Sequence, residues 1–423
     1  MKKFVSMLVI AAMTLLSAAA QEAGFLTLYG HAVDSSTGEA LFFTSVSLPG
    51  TTISNVSNAD GFFSFKLPAD TPQDATITVS HLGYLTQNIP ITAFANCDTE
   101  NPLLIRMAPV AIQLDPATVR SIDPYYLFLT AFYKVRDNYP KTRVGMTAFY
   151  REMVKKGAAK YLVLNEAVLD IDKSPYTGFM PDRAGIYKGR GSINYDSSDT
   201  LFVKLQGGIK TAMDLDIVRY PFIGTTIDEA KDAYNFSISG ITSYDGQSFY
   251  VLEFDQRSST QDEVLARGRL YIETESYAIG RVEFSLNVEG HEEEAAKAFV
   301  VKRPQGTRFF VQSADYVVSY KCFDGLWYFD YFRGDVDFFT RKVHSPFRAN
   351  FSVTEEMAIT DHREGGIAIE PAGRVKFRDI LTDRVSDFTD KDFWGSYNII
   401  EPDQSIDVII RRIIRQINRH SER

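Results

Sequence analysis

Cysteine and tryptophan are scarce, with 2 of each in 423 residues. Two cysteines are too few for a disulfide scaffold or a cysteine-ligated metal cluster. Cys97 and Cys322 lie far apart in the chain, and in an oxidising compartment two readings stay open for them, a bridge or a pair of unpaired thiols. Basic charge is in the minority: 45 Lys and Arg stand against 54 Asp and Glu, a net charge of -9. Nucleic acid is a poor partner for such a field. After the first twenty residues no apolar run approaches the ~20 residues a helical span needs, so the mature chain is expected to lack a transmembrane segment. Aromatic side chains, by contrast, are plentiful. With 31 Phe and 22 Tyr in a chain that is 45% hydrophobic and 23% charged, disorder is excluded for most of the length and strands are favoured over helical bundles.

Lys2 and Lys3 precede an apolar run from Phe4 through Leu16, broken by Ser6 and Thr14, and Ser17, Ala18, Ala19 and Ala20 stand before Gln21. This is the pattern of a secretory signal, residues 1–20, with cleavage after Ala20. An N-terminal membrane anchor is the alternative, for which the run is short. No cysteine follows the run, which argues against a lipid anchor. The expected address is beyond the inner membrane, periplasmic or outer-membrane-associated.

Residues 25–110 alternate short strands with turn chemistry. Leu26 to Val33, Phe42 to Leu48, Thr52 to Ser57, Phe62 to Leu67, Ile77 to His81 and Leu85 to Ile91 read as strands. Asp60-Gly61 reads as a hairpin turn, because glycine supplies a positive φ. The spacing predicts a small antiparallel β-sandwich. Asn58 and Asp60 mimic the opening of a calcium loop, but strand residues Phe62, Phe63 and Phe65 follow where ligands would be needed, and a turn is preferred. Tyr84 can bury its ring while its hydroxyl finds a partner.

Gly30-His31-Ala32-Val33-Asp34, Thr37-Gly38-Glu39-Ala40-Leu41, Thr44-Ser45-Val46, Asn58-Ala59-Asp60-Gly61-Phe62-Phe63 and Val79-Ser80-His81-Leu82-Gly83-Tyr84 together resemble the carboxypeptidase-regulatory-like domain, the transthyretin-like sandwich common in Bacteroidetes envelope proteins. The resemblance implies a non-catalytic companion domain without zinc ligands of its own.

A connector and helix occupy 111–140. Asp123 is the expected N-cap and Pro124 the first helical residue of a helix through Asn138, with Leu127, Ala131 and Val135 at helical spacing. Residues 141–365 read as a large antiparallel sheet. Strands are expected at Phe149 to Glu152, Tyr161 to Asp170, Phe236 to Tyr244, Gln247 to Phe254, Ala266 to Glu273 and Tyr277 to Asn287. Further strands are expected at Ala298 to Lys302, Thr307 to Tyr320, Leu326 to Val336 and Phe347 to Ile359. Several exceed ten residues, and long strands curl. Asp245-Gly246 and Asp324-Gly325 are hairpin turns. The order Asn-Tyr-Pro at 138–140, Phe149-Tyr150-Arg151-Glu152, then Asn165-Glu166-Ala167-Val168 resembles the segment that follows the regulatory-like domain in many Bacteroidetes envelope proteins of unassigned function. Gly268 to Glu273 followed by Tyr277 to Arg281 resembles the edge-to-edge hairpin of lipoprotein-carrier-like half-barrels, which implies a curved sheet around a hydrophobic concavity. In 366–423, a helix from Gln404 to Arg419 gathers Ile406, Ile409, Ile410, Ile413, Ile414 and Ile417 on one face, with Arg411, Arg412, Arg415 and Arg419 elsewhere. Such a helix can lie on an anionic membrane, and the preferred reading docks its isoleucines onto the sheet.

No complete catalytic set emerges. His291-Glu292-Glu293-Glu294 lacks the second histidine of a zinc helix and reads as a solvated hairpin tip or short acidic loop. Gly189-Arg190-Gly191 lacks the Lys-Ser/Thr of a phosphate loop, and no Gly-x-Ser-x-Gly elbow occurs. Carboxylate pairs suited in type to glycoside hydrolysis exist at Asp170/Asp172, Asp214/Asp216, Asp245/Glu253 and Glu273/Glu275, without a signal that selects one. Asp199-Thr200-Leu201 matches a short O-glycosylation acceptor pattern at Thr200, or is an ordinary loop triplet. No catalytic, cofactor-binding or metal-binding residue is therefore assigned. The expectation is a mainly β, non-enzymatic periplasmic or outer-membrane-associated binding protein. Its sandwich would serve as interaction module and its curved sheet as the surface for an envelope protein or an apolar or lipid ligand. The alternative is a cell-envelope hydrolase acting on glycan or peptide.

Overall fold

The computed structural model describes residues 24–110, 122–157, 160–193, 208–221, 226–260, 262–299, 306–376, 379, 381–386, 393–404 and 406–411. The signal segment, Thr200 and most of the C-terminal arginine and isoleucine pattern beyond Arg411 lie outside them. Strands β1 (Phe25–Asp34), β2 (Ser45–Ser47), β3 (Ser54–Val56), β4 (Phe62–Pro68), β5 (Thr76–Ser80), β6 (Gln87–Pro90) and β7 (Leu103–Met107) form two small sheets in the orders β4-β1-β7 and β3-β2-β5-β6. Alternation puts Leu28, Phe63, Phe65, Val46, Ile77 and Val79 into the layer between them. The pair β1/β7 is parallel, and the other pairs are antiparallel.

Two expectations change here. The strand expected from Phe42 begins only at Ser45, because Phe43 takes a positive φ of 60° and the Phe42-Phe43 turn leaves the sheet. Asp60-Gly61 does turn with a positive φ at Gly61, yet it carries the chain from β3 in one sheet to β4 in the other and makes no hairpin. Gly61 is required on a second count: a Cβ there would lie 2.4 Å from the Ala32 carbonyl oxygen. Asn58 sets the turn by accepting from the Asp60 and Phe62 amides, each at 3.0 Å.

The second unit is one open, wholly antiparallel sheet of ten strands. They are β8 (Val144–Lys156), β9 (Lys160–Lys173), β10 (Arg183–Ile193), β11 (Tyr234–Tyr244), β12 (Gln247–Gln256), β13 (Ala266–Glu273), β14 (Ile279–Leu286), β15 (Thr307–Phe323), β16 (Leu326–Lys342) and β17 (Arg348–Glu364). Their order is β10-β9-β8-β17-β16-β15-β14-β13-β12-β11. Asp245-Gly246 and Asp324-Gly325 close two-residue hairpins with positive φ at both positions, as their chemistry demands. The hairpin β13/β14 pairs as expected but lies inside the sheet, flanked by β12 and β15.

One face of this sheet is covered by helices. Asp123 caps α1 (Pro124–Tyr133) by accepting from the Tyr125 and Tyr126 amides, and α2 (Val135–Asn138) follows. Phe128 and Phe132 of α1, Met213 of α3 (Ile209–Asp214) and Ala230 of α4 (Ala230–Ala233) share one core with Tyr150, Tyr320, Phe332 and Phe338 of the sheet. The acidic run 292–294, expected as a loop, opens helix α5 (Glu292–Phe299). Three glutamates in a first turn suit the helix dipole, and Ala295 and Ala296 pack on the sheet. Of the strand expected from Ala298 to Lys302, Ala298 and Phe299 are instead helical, and residues 300–302 lie outside the described residues. The opposite face carries the sandwich at one end.

Candidate functional site

Period-two alternation sends every second residue to the sandwich-covered face, and the register aligns one such row across all ten strands. From the β11 edge inward, Ser237 pairs with Glu253, Glu253 with Arg269, Arg269 with Glu283, Glu283 with Val317, and Val317 with Arg333. The row continues Arg333 to Glu356, Glu356 to Arg151, Arg151 to Glu166, and Glu166 to Arg190. From Glu253 onward acid and base alternate along it, interrupted at Val317, so six of the nine cross-strand pairs are of opposite charge, the arrangement that stabilises a sheet face.

Burial deepens along the row. Arg269 and Glu253 are ion-paired at 3.2 Å with side chains 54% and 39% exposed, whereas Arg151 and Glu166, paired at 2.7 Å, are 2% and 0% exposed. Arg151 donates from Nε and Nη2 to one oxygen of Glu166 at 2.9 and 2.7 Å. Arg190 donates to the other at 2.8 Å. Glu356 stands 3.6 Å from Arg151 and also pairs with Arg333. Burial alone would raise the Glu166 carboxyl, but Arg151 and Arg190 outweigh it and hold it below the usual range.

The cover over the buried half has three parts. The Phe42-Phe43 turn lays Phe43 on Tyr331 at a ring separation of 3.9 Å, with the Arg281 guanidinium 4.9 Å from the Phe43 ring and that of Arg333 4.8 Å from Phe42. Residues 393–404 form a strap between sandwich and sheet. Its Ile400 oxygen accepts from Arg151 at 2.8 Å and its Ile399 oxygen from Asn55 at 2.9 Å. Asn398 exchanges two hydrogen bonds with the Lys66 backbone, at 2.8 and 3.0 Å. Asn58 and Asp60, the residues of the calcium-like turn, bind the strap at Pro402 and Gln404. The third part is the start of the C-terminal helix, whose described residues within 404–411 are helical. Ile406, Ile409 and Ile410 are buried on Met153 and Leu164, which is the docked arrangement expected for the isoleucine face.

Beyond the cover the face is open. Between the row of Ser237, Glu253, Arg269, Glu283 and Arg333 and a second row of Asn235, Asp255, Arg267, Ser285, Asp315 and Asp335 runs a groove of about 720 Å³. Gly268 lies midway along it. A Cβ at Gly268 would stand 2.0 Å from the Glu283 carbonyl oxygen and 2.7 Å from the Phe284 Cα. Because both are backbone atoms, Gly268→Ala must part β13 from β14. We expect a loss of at least ~1–3 kcal/mol in urea unfolding, and a variant as stable as the parent would contradict this register.

In each carboxylate pair singled out in the sequence at least one member has a partner of its own. Asp172 is paired with Arg143, Asp214 with Lys210, and Glu253 with Arg269. Asp216 is buried against Lys173 at 2.5 Å and accepts from Tyr320 at 2.7 Å. Glu273 accepts from the Glu275 and Ser276 amides and shapes the β13–β14 turn. Gly189 and Gly191 flank Arg190 because the segment at Val385 and Ser386 lies against β10, the Ser386 oxygen accepting from the Gly191 amide at 2.7 Å. Cys97 and Cys322 are free thiols, both half-buried. Tyr84 donates to Asp34 at 2.7 Å. His81 packs edge-on to Tyr84, and burial, with Arg281 nearby, lowers its pKa to about 4, so it is neutral at pH 7. Among the described residues no group of three or more His, Cys, Asp or Glu is placed to hold a metal, and no helix is long and apolar enough to cross a membrane.

Residues 28–119 match the family model described as the CarboxypepD_reg-like domain, so the chain carries a carboxypeptidase-regulatory-like domain at that position. No curated protein matches the chain significantly. Among solved structures, a DUF1329 family protein from Desulfovibrio piger is 14% identical, aligned over 60% of this chain and 95% of its own, with a TM-score of 0.24. A LolA superfamily protein from Nitrosomonas europaea is 12% identical over 58% and 96%, with a TM-score of 0.22. A lipoprotein-sorting protein domain from Vibrio parahaemolyticus is 11% identical over 59% and 96%, at 0.24. Scores of this size carry neither fold nor ligand to the chain.

Proposed function

We propose that the chain is a non-enzymatic binding protein of the cell envelope, periplasmic or outer-membrane-associated, whose partner surface is the open half of the charged row. The supporting observation is internal. The same sheet face already holds a polypeptide strap and a helix on its other half, through Arg151, Asn55 and an isoleucine contact. The open half continues that row with Glu253, Arg269, Glu283 and Arg333 beside a groove. Its chemistry fits a polypeptide segment of mixed charge better than a lipid. The other face offers a lipid less, because side chains of α1, α3 and α5 pack in one core with the sheet there.

Photocrosslinking tests this reading in intact cells. With a photoreactive residue in place of Ser237 or Val317, we expect a discrete protein adduct, weakened severalfold by Arg269→Glu. Absence of adducts at both positions, or co-purification of a stoichiometric lipid, would remove the partner reading.

A further inference from the structure

The sandwich and the sheet enclose a cavity of about 190 Å³ that the strap and the charged row do not touch. Its roof is the sandwich segment 47–54, and its floor is the β15–β16 hairpin with the end of β17. A β-bulge makes it. Ser319 pairs with Tyr331 and Tyr320 with Phe329, so Asp330 is the extra residue, without a cross-strand partner. Asp330 is 6% exposed, and its Oδ2 has no hydrogen-bond partner. The Nε2 of His362, which lines the same cavity, is likewise buried without a partner. Buried polar atoms are normally satisfied, and a buried carboxylate left alone is costly.

We propose that this cavity is a binding site for a small organic cation, a primary ammonium that pairs with the Asp330 carboxylate and lies against the aromatic wall. Three observations set the class. Asp245 and Asp330 supply two carboxylates against the single ammonium of Lys321, whose Nζ donates to Ser45 Oγ at 3.2 Å. Phe323, Tyr328 and Phe329 line the cavity, and the His362 ring stacks on Tyr328 at 4.1 Å, so ring faces suited to a cation are at hand. The volume admits a handful of heavy atoms, since one water occupies ~30 Å³ of liquid. A metal ion is disfavoured, as no cluster of three or more ligating side chains forms there among the described residues.

The titratable groups around Asp330 are Lys321 and Cys322 from β15, Tyr328 from β16, Tyr244 and Asp245 from the β11–β12 hairpin and His362 from β17, while the sandwich segments that line the cavity carry no charged side chain. Burial raises the Asp330 carboxyl to about 6, Lys321 opposing and Asp245 adding to it. Binding of an ammonium therefore requires a pH above that value and is lost as Asp330 takes up a proton. Burial keeps His362 neutral at pH 7.

The test is calorimetric titration of the purified chain with n-butylammonium, with n-butanol and acetate as uncharged and anionic controls. We expect saturable binding of butylammonium at pH 7.5, at least tenfold weaker at pH 5 and in Asp330→Asn, and none of either control. A second readout needs no variant. Cys322 lines the cavity and Cys97 does not, so butylammonium should slow alkylation of Cys322 severalfold and leave Cys97 unchanged. Equal protection by n-butanol, or affinity unaltered in a folded Asp330→Asn chain, would overturn the proposal, as would absence of protection altogether. None of these outcomes bears on the partner surface, whose groove is lined by other residues.

Discussion

Arg151→Met is expected to destabilise the chain by ~3–5 kcal/mol, the cost of leaving a buried carboxylate without its partner. The side chain lost makes both short bonds to one oxygen of Glu166, stands 3.6 Å from Glu356 and donates to the Ile400 oxygen of the strap. Arg190 would still hold the other oxygen of Glu166. The double variant Arg151→Met/Glu166→Leu removes both charges of the pair and should lose less than the sum of its single changes. The two are compared by urea unfolding at pH 7. The pH dependence has a definite sign. Because Glu166 is held below its ordinary range in the folded chain, its contribution is present above the unfolded value and disappears as pH falls through the acid range. The parent should therefore lose stability on acidification more steeply than Arg151→Met, in which the carboxyl is held down less. Equal acid slopes would mean that the buried pair does not hold the carboxyl down.

The second large effect is expected at Phe43→Ala. Phe43 is 2% exposed and packs with Val56, Phe149, Val168, Tyr331, Ala358 and Trp394, a cluster drawn from sandwich, sheet and strap. Truncating a buried phenylalanine costs ~3–5 kcal/mol, and here the loss falls on the contact between domains. The sandwich core of Phe63, Phe65, Ile77 and Val79 does not include this residue. Calorimetry should then resolve two transitions where the parent shows one, with the strap becoming open to limited proteolysis. A single transition merely shifted downward would mean that the domains unfold together for reasons other than this contact.

Strand positions were legible because alternation and turn residues are local signals. β13 is found at the residues where the pattern puts it, and the Asp-Gly turns at 245 and 324 close hairpins. Phe42 and Phe43 misled for a physical reason: aromatic residues favour strands, and only tertiary contact with Tyr331 and the two arginines stabilises a phenylalanine at positive φ. Helix α5 was hidden because eight residues, the first three of them glutamates, give too short a period to read. The charged row was out of reach altogether. Arg151 and Glu166 each stood in a motif noticed in the sequence, but their meeting depends on cross-strand register, and Arg333, Glu356 and Arg190 arrive from three further strands. A period of two says which residues share a face, never which lie side by side.

The strap makes its decisive contacts at great distance along the chain: Asn55 and Ile399 are 344 residues apart. Contacts of that span form late, because the intervening chain must be ordered first. A polypeptide emerging from its N-terminus can complete the sandwich and pair β8 with β17 before residues 393–411 reach the interface. In that interval Arg151 lacks the Ile400 oxygen and the isoleucine contact on Met153 and Leu164 is unmade. The strap thus closes over a contact that Phe43 and Tyr331 make without it, and until it arrives Arg151 has Glu166 but not the Ile400 oxygen.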